Sequence, residues 1–122
     1  MTRYFLDSYA LFEIAEGSKA YEPYKKDTVL RTTKLNLMEF HYGLLMKKGK
    51  EQADKYYDTL RDLCVEIGDE TIKTANAFRH ENRKMKFSYI DCVGYVTAKS
   101  IGAVFLTGDN AFEGMENVEF VK

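Results

Sequence analysis

Two short apolar segments, far apart in the sequence, each lead into an aspartate. Tyr4–Leu6 runs directly into Asp7, and Ala103–Leu106 reaches Asp109 within three residues. Short apolar runs bounded by turn residues are typical of buried strands. In open parallel sheets, ligands bind beyond the carboxyl ends of the strands. We therefore expect both aspartates at one functional edge of a parallel sheet.

The segments between these runs alternate between strand and helix patterns. Further strands are predicted at 28–30, 64–67 and 118–121, and helices at about 10–16, 34–48, 50–63, 69–84 and 88–101. Alternation of this kind predicts an α/β fold, a three-layer α/β/α sandwich with a parallel sheet of about five strands. The 122 residues suit a single domain covering 1–122.

The helix predicted at 34–48 has apolar residues around most of its circumference. One helical stripe carries Leu35, Met38, Tyr42 and Leu45, and further apolar residues widen it. This pattern predicts a helix that is buried over more than one face.

Composition limits the compartment and the partners. The net charge is -1, so any surface that binds nucleic acid must be a local concentration of basic residues. Only two cysteines are present, Cys64 and Cys92, and their separation fits neither a zinc motif nor a disulfide framework. No apolar run approaches the ~18 residues needed to span a membrane. We expect a cytoplasmic protein with reduced thiols and no membrane association.

Two further acids are candidates for the same edge. Glu39 lies inside the mostly apolar helix, where a buried lone carboxylate is costly unless it is paired or bound to metal. It could instead occupy a narrow solvated stripe. Asp91 stands three residues after Ser88, where a carboxylate completes a capping box. Helix or turn capping is equally open to Asp7 and Asp109, which precede helical or turn segments.

Convergence of these acids would favour a metal site. Carboxylates within about 4–6 Å of one another repel, and their pKa values rise unless a cation keeps them ionised. Oxygen donors without cysteine or histidine suit Mg²⁺ or Mn²⁺ better than Zn²⁺. Such a site predicts metal-assisted hydrolysis of a phosphodiester.

The order of these motifs resembles a PIN domain, in particular the VapC-like toxins of toxin–antitoxin pairs. The motifs are Asp7-Ser8 after the first strand, a helical Glu39, the segment Ser88–Asp91, and the segment Leu106–Asp109. The resemblance covers essentially the whole chain. It implies a ribonuclease with sheet order 3-2-1-4-5, usually a homodimer, that a small antitoxin silences.

The resemblance also assigns roles to individual residues. It implies that Mg²⁺ or Mn²⁺ is held by four catalytic acids, which are Asp7, Glu39, Asp91 and Asp109. The hydroxyls of Ser8 and Thr107 would support these acids, and Phe112 matches an aromatic residue that commonly follows the last aspartate. Two positions depart from the pattern: Tyr9 is bulkier than the residue often found there, and Lys99 stands where arginine is frequent.

A basic segment precedes the helix of Asp91 and is a candidate for RNA binding. Its candidate residues are Arg79, Arg83, Lys84 and Lys86. Such residues bind phosphates without regard to sequence, although charge runs also mark ordinary solvated helix ends. Tyrosines, among them Tyr9 and Tyr89, are candidates for stacking on bases.

Three functional classes follow. The first is a metal-dependent endoribonuclease, and the second is a catalytically inactive RNA-binding or scaffold module. The third, a receiver or Asp-x-Asp phosphatase, is disfavoured because position 9 is Tyr9 and no acid precedes Asp7.

Overall fold

The computed structural model describes residues 1–122 as four strands and five α-helices. The elements are β1 (Thr2–Leu6), α1 (Ser8–Ala15), β2 (Thr28–Arg31), α2 (Lys34–Lys48), α3 (Lys50–Leu60), α4 (Asp69–Glu81), α5 (Tyr89–Ser100), β3 (Val104–Thr107) and β4 (Val118–Phe120). Short 3-10 turns at Lys19–Lys25, Arg61–Leu63, Arg83–Met85 and Asn110–Phe112 complete the connections. None of the helices combines the length and apolar character that crossing a membrane requires.

All four strands pair in parallel, in the order β2-β1-β3-β4. The prediction of a strand at Cys64–Ile67, which would have made the sheet five-stranded, is wrong. This segment makes only one bridge, between Cys64 and Thr32. The physical reason is that β2 continues no further: Thr33 is already the N-cap of α2 and leaves no strand for residues 66 and 67 to pair with. The predicted order 3-2-1-4-5 is thus observed without a full strand at its first position.

Neighbouring strand residues point to opposite faces of the sheet and supply two separate cores. Phe5 and Phe105 pack with buried residues of α4 and α5, whereas Leu6 and Leu106 pack with buried residues of α1, α2 and α3. The sheet is therefore covered on both faces, and the predicted three-layer α/β/α sandwich is confirmed. This arrangement places the carboxyl ends of β1 and β3 side by side.

Helix α2 is buried along one face only. Its buried residues include Leu37, Phe40 and Leu44, but Met38 is 54% exposed and Tyr42 is 63% exposed. The prediction of burial over more than one face is therefore wrong. Only one side of α2 faces the sheet and its neighbouring helices, so the stripe that runs through Met38 and Tyr42 is left uncovered within this chain.

Candidate active site

The four acids singled out in the sequence line a single cavity of about 370 Å³. The cavity lies where β1 and β3 end and α1 and α5 begin, which is the edge that the parallel sheet predicts. Its lining residues are Asp7, Ser8, Tyr9, Glu39, Asp91, Gly108, Asp109, Asn110 and Lys122. A larger cavity of about 510 Å³ lies between α4 and α5, but none of the four acids lines it.

Asp7 is the most buried of the four acids, with 5% of its surface exposed. It is the N-cap of α1, and its Oδ1 accepts a hydrogen bond of 2.9 Å from the Ala10 N–H. Its Oδ2 accepts a hydrogen bond of 2.5 Å from the Thr107 hydroxyl. Burial raises the pKa of the Asp7 carboxyl to about 7, against the effect of these hydrogen bonds, and the charges of Asp91 and Asp109 raise it further.

Thr107 joins the ends of the two central strands. Its hydroxyl donates to Asp7 and accepts a hydrogen bond of 3.0 Å from the Asp109 N–H. Asp109 in turn caps the 3-10 turn that follows, with its Oδ1 accepting a hydrogen bond of 3.0 Å from the Ala111 N–H. The fully buried hydroxyl of Thr107 therefore fixes the spacing between Asp7 and the backbone of Asp109.

Asp91 forms the capping box that the sequence predicts. Its Oδ2 accepts a hydrogen bond of 3.0 Å from the Ser88 N–H, and its own N–H donates to the Ser88 hydroxyl. Burial raises the pKa of the Asp91 carboxyl, the hydrogen bonds with Ser88 oppose this, and the nearby charge of Asp109 adds to it. Asp91 thus starts α5 and lines the cavity at the same time, so its capping role does not exclude a role in the site.

Glu39 reaches the cavity from α2 and is exposed. Its Oε1 accepts a hydrogen bond of 2.5 Å from the Ser8 hydroxyl. Behind Ser8 lies Asn36, a buried residue whose amide is 3.4 Å from the Ser8 Oγ and whose Oδ1 accepts a hydrogen bond from Thr33. Glu39 is therefore on the solvated side of α2, but a polar chain from Thr33 to Ser8 aims it at the acids.

The donor set of the cavity fits a hard divalent cation. No lysine, arginine or histidine nitrogen lies within 4.0 Å of any of the four carboxylates. One oxygen each of Glu39, Asp91 and Asp109 accepts no hydrogen bond from the chain. No three acids stand close enough to share one ion directly, but Mg²⁺ keeps several waters and commonly takes only one or two carboxylates.

The basic segment leads into α5, whose Asp91 lines the cavity, but none of the basic residues of this segment lines the cavity itself. Arg79 donates to the Phe87 carbonyl at 3.0 Å, and its guanidinium stacks over the ring of Tyr89 at 4.1 Å. Arg83 donates to the His80 carbonyl, and Lys84 and Lys86 are exposed without ion-pair partners. The structure therefore leaves these cations outside the cavity, on the segment that leads into α5.

Three residues that line the cavity, Gly108, Asn110 and Lys122, were not identified as site residues in the sequence analysis. Asn36, which contacts Ser8 from behind the cavity, was not singled out either. Lys122 follows β4, and a strand parallel to β3 ends at the same edge, but the sequence does not show that β4 pairs with β3.

The sequence model of the PIN domain family matches residues 4–118. A comparison with curated protein sequences finds no match.

Solved structures with a similar fold come from toxin–antitoxin systems. One is Mycobacterium tuberculosis VapC20, described as a sarcin–ricin loop cleaving toxin, with a TM-score of 0.77, 16% identity, and coverage of 98% of this chain and 99% of that chain. The DNA-bound VapBC of Salmonella typhimurium gives a TM-score of 0.75 at 18% identity, covering 98% and 97%. A toxin–antitoxin complex from Klebsiella pneumoniae gives 0.74 at 16% identity, covering 95% of each chain. Identities this low establish a shared fold alone.

Proposed function

This chain belongs to the PIN domain family, and on that premise we propose that it is a Mg²⁺- or Mn²⁺-dependent endoribonuclease, the toxin of a toxin–antitoxin pair. Residues 1–122 would form a single nuclease domain. The observation that carries the proposal is that four acids line one cavity at the sheet edge, three of them at the start of a helix or turn and Glu39 from within α2. None of them is neutralised by a basic side chain of the chain itself.

Each acid has a distinct part in this proposal. Asp91 and Asp109 offer an oxygen that is free of hydrogen bonds, and Asp7 offers the most buried carboxylate. Glu39, held by Ser8, would hold the metal directly or orient water at its side. Mg²⁺ or Mn²⁺, when bound, supplies a Lewis acid that activates water and stabilises charge on the phosphoryl group. Thr107 keeps Asp7 and the Asp109 backbone in register while this happens.

RNA is the proposed substrate because the surface near the cavity offers cations and an exposed aromatic ring. Lys84 and Lys86 are solvent-exposed, and Tyr89 is 64% exposed with its ring stacked on Arg79. Phosphate neutralisation together with base stacking is how single-stranded nucleic acid is usually bound. We expect Arg79 to act mainly by supporting Tyr89, because its Nε–H already donates to Phe87.

The test is cleavage of an end-labelled RNA pool by the purified protein, with Mn²⁺ and then with EDTA. We expect cleavage with Mn²⁺, none with EDTA, and a loss of at least about a hundredfold in Asp7→Asn. Asp58→Asn is the matched control, because Asp58 is exposed on α3 and lies outside the cavity. A folded wild-type protein that binds Mn²⁺ and RNA but cuts none would instead establish the catalytically inactive RNA-binding module.

Two protein partners belong to the proposal, an antitoxin and a second copy of the chain. Similar solved structures include a toxin–antitoxin complex and a DNA-bound VapBC, which supports the first. The second is tested by size-exclusion chromatography with light scattering, where a homodimer has twice the chain mass of 14.1 kDa. A mass of 14.1 kDa at micromolar concentration would contradict the homodimer and leave the nuclease proposal untouched.

A further inference from the structure

Lys122 brings a positive charge to the acidic cavity. It is the only lysine, arginine or histidine among the nine lining residues. Its ammonium donates a hydrogen bond of 2.8 Å to Oδ1 of Asn110, the residue that directly follows Asp109. The side chain is exposed, so the ammonium is open to a ligand that enters from solvent.

The backbone that leads to Lys122 is held firmly at the sheet edge. The Val121 N–H donates to the Thr107 carbonyl at 2.8 Å, which extends the pairing of β3 with β4 by one residue. The Val121 carbonyl accepts a hydrogen bond of 2.6 Å from the buried hydroxyl of Tyr21. Because both polar groups of Val121 are fixed, the next residue leaves the sheet at a defined point, beside the end of β3.

The charge of Lys122 is not used within the protein. No carboxylate lies within 4.0 Å of its ammonium, although four carboxylates line the same cavity. An ammonium has three N–H donors, and the bond to Asn110 uses one of them. Two donors and a full positive charge therefore remain for an anionic group.

A phosphodiester that approaches four carboxylates is repelled by them, and a cation fixed at the rim offsets part of that repulsion. We propose that Lys122 is a substrate-binding residue, which donates to a non-bridging oxygen of an RNA phosphate in the cavity, and that Asn110 is the residue that positions it. The inference rests on the proposed function, since it takes RNA as the substrate. It adds a binding group that the four acids and the basic segment do not provide.

The test measures the affinity of a fluorescein-labelled single-stranded RNA for the protein of residues 1–122 in an Asp91→Asn background, chosen to stop cleavage. Adding Lys122→Gln should raise the Kd by about threefold to tenfold, the range expected for loss of one charge-assisted hydrogen bond at an exposed site. The slope of log Kd against log salt should decrease by about 0.7, the value for one phosphate contact on a single strand. Lys122→Arg should keep both close to the parent values.

Lys55→Gln is the matched control, because Lys55 is exposed on α3, makes no ion pair and lies outside the cavity. It makes the same change of net charge, so equal effects of Lys55→Gln and Lys122→Gln would overturn the proposal. Asn110→Ala tests the positioning role: it should raise the Kd by about twofold to threefold while leaving the salt slope unchanged, since the charge is still present.

Wild-type cleavage separates this inference from the proposed function. If the wild-type protein cuts RNA and Lys122→Gln binds as tightly as the parent, the inference alone fails. If the wild-type protein neither cuts nor binds RNA, the proposed function fails and the assignment of Lys122 fails with it.

Discussion

Asp7 shows how one side chain serves both the fold and the cavity. Its two oxygens are taken up by the Ala10 N–H and the Thr107 hydroxyl, yet burial still raises its pKa to about 7. The hydrogen bonds that fix its position therefore do not compensate for its removal from water. A cation beside it would do so, because an opposite charge favours the ionised carboxylate.

This burial predicts a stability that falls as pH rises. The folded-state pKa of Asp7, about 7, lies above its ordinary value of 3.8. Well below pH 4 the Asp7 carboxyl is protonated in both the folded and the unfolded state, so it makes no difference to the free energy of unfolding. Between about pH 4 and pH 7 the folded state binds the proton more tightly, so deprotonation destabilises it progressively, by roughly 4 kcal/mol in total.

The measurement is thermal unfolding in EDTA from pH 4 to pH 8. Relative to Asp7→Asn, which does not titrate, the wild-type melting temperature should fall through this range and level off above pH 7. Asp58→Asn should follow the wild type. Parallel curves for wild type and Asp7→Asn would contradict the assigned burial cost.

Single residues differed in how far the sequence could locate them. Asp7 and Asp109 were predictable because the chain itself places them at the ends of buried strands. Asp91 was predictable from its spacing to Ser88. Lys122 was not, because its place in the cavity depends on the pairing of β4 with β3, which periodicity alone does not show.

At the level of elements, the meeting of β1, β3 and β4 depends on Gly108. A Cβ at this position would lie 2.5 Å from the Val121 carbonyl oxygen and 2.2 Å from the Tyr9 ring. Such distances are below van der Waals contact, and the Val121 carbonyl is also bound to Tyr21. The end of β3 can therefore approach the chain after β4 only without a side chain between them.

Gly108→Ala should destabilise the protein by about 1–3 kcal/mol, the cost of overpacking a filled site. Equilibrium unfolding in urea measures it. Gly68→Ala is the control, since a Cβ there meets nothing within 4 Å, and it should cost less than about 1 kcal/mol. The double variant Gly108→Ala/Tyr9→Ala should recover little of the lost stability, because the new Cβ still clashes with the Val121 carbonyl oxygen. Full recovery would show that the clash with the Tyr9 ring alone causes the loss.

Elements were predictable where local pattern and tertiary pairing agree. The alternating strand and helix order and the capping box at Ser88 follow from residues close together in sequence. The prediction of a strand at 64–67 was wrong, because the apolar pattern of this segment does not show where its partner β2 ends. The prediction that the stripe of Met38 and Tyr42 is buried was wrong, because apolar spacing indicates a helix face without showing what covers that face.

At the scale of the whole molecule, the sheet brings distant parts of the chain to one cavity. The lining residues span positions 7 to 122, and the elements that carry them pack against different faces and edges of the sheet. A ligand that bridges these residues therefore links the layers and stabilises the folded state as a unit. The strength of that link depends on affinity and concentration alone.

Mn²⁺ should accordingly raise the melting temperature. At a free concentration of a hundred times its Kd, one bound ion adds about 2.7 kcal/mol, which corresponds to a shift of several degrees. The shift should shrink in Asp91→Asn and persist in Asp58→Asn, as measured by differential scanning fluorimetry at pH 8. An equal shift in both variants would contradict a metal site in this cavity.

The aspartates of the cavity each begin a helix or a turn, whereas Glu39 caps nothing. The starts of α5 and of the last 3-10 turn would therefore favour Asp91 and Asp109 even in a relative without the proposed nuclease activity, whereas Asp7 could give way to asparagine, which also caps helices and carries no buried charge. Retained aspartates at positions 91 and 109 are then poor evidence of activity when relatives of this chain are compared. Under the proposed function, position 39 is the more informative one, because Glu39 is exposed on α2, begins no element and could be replaced with little loss of stability.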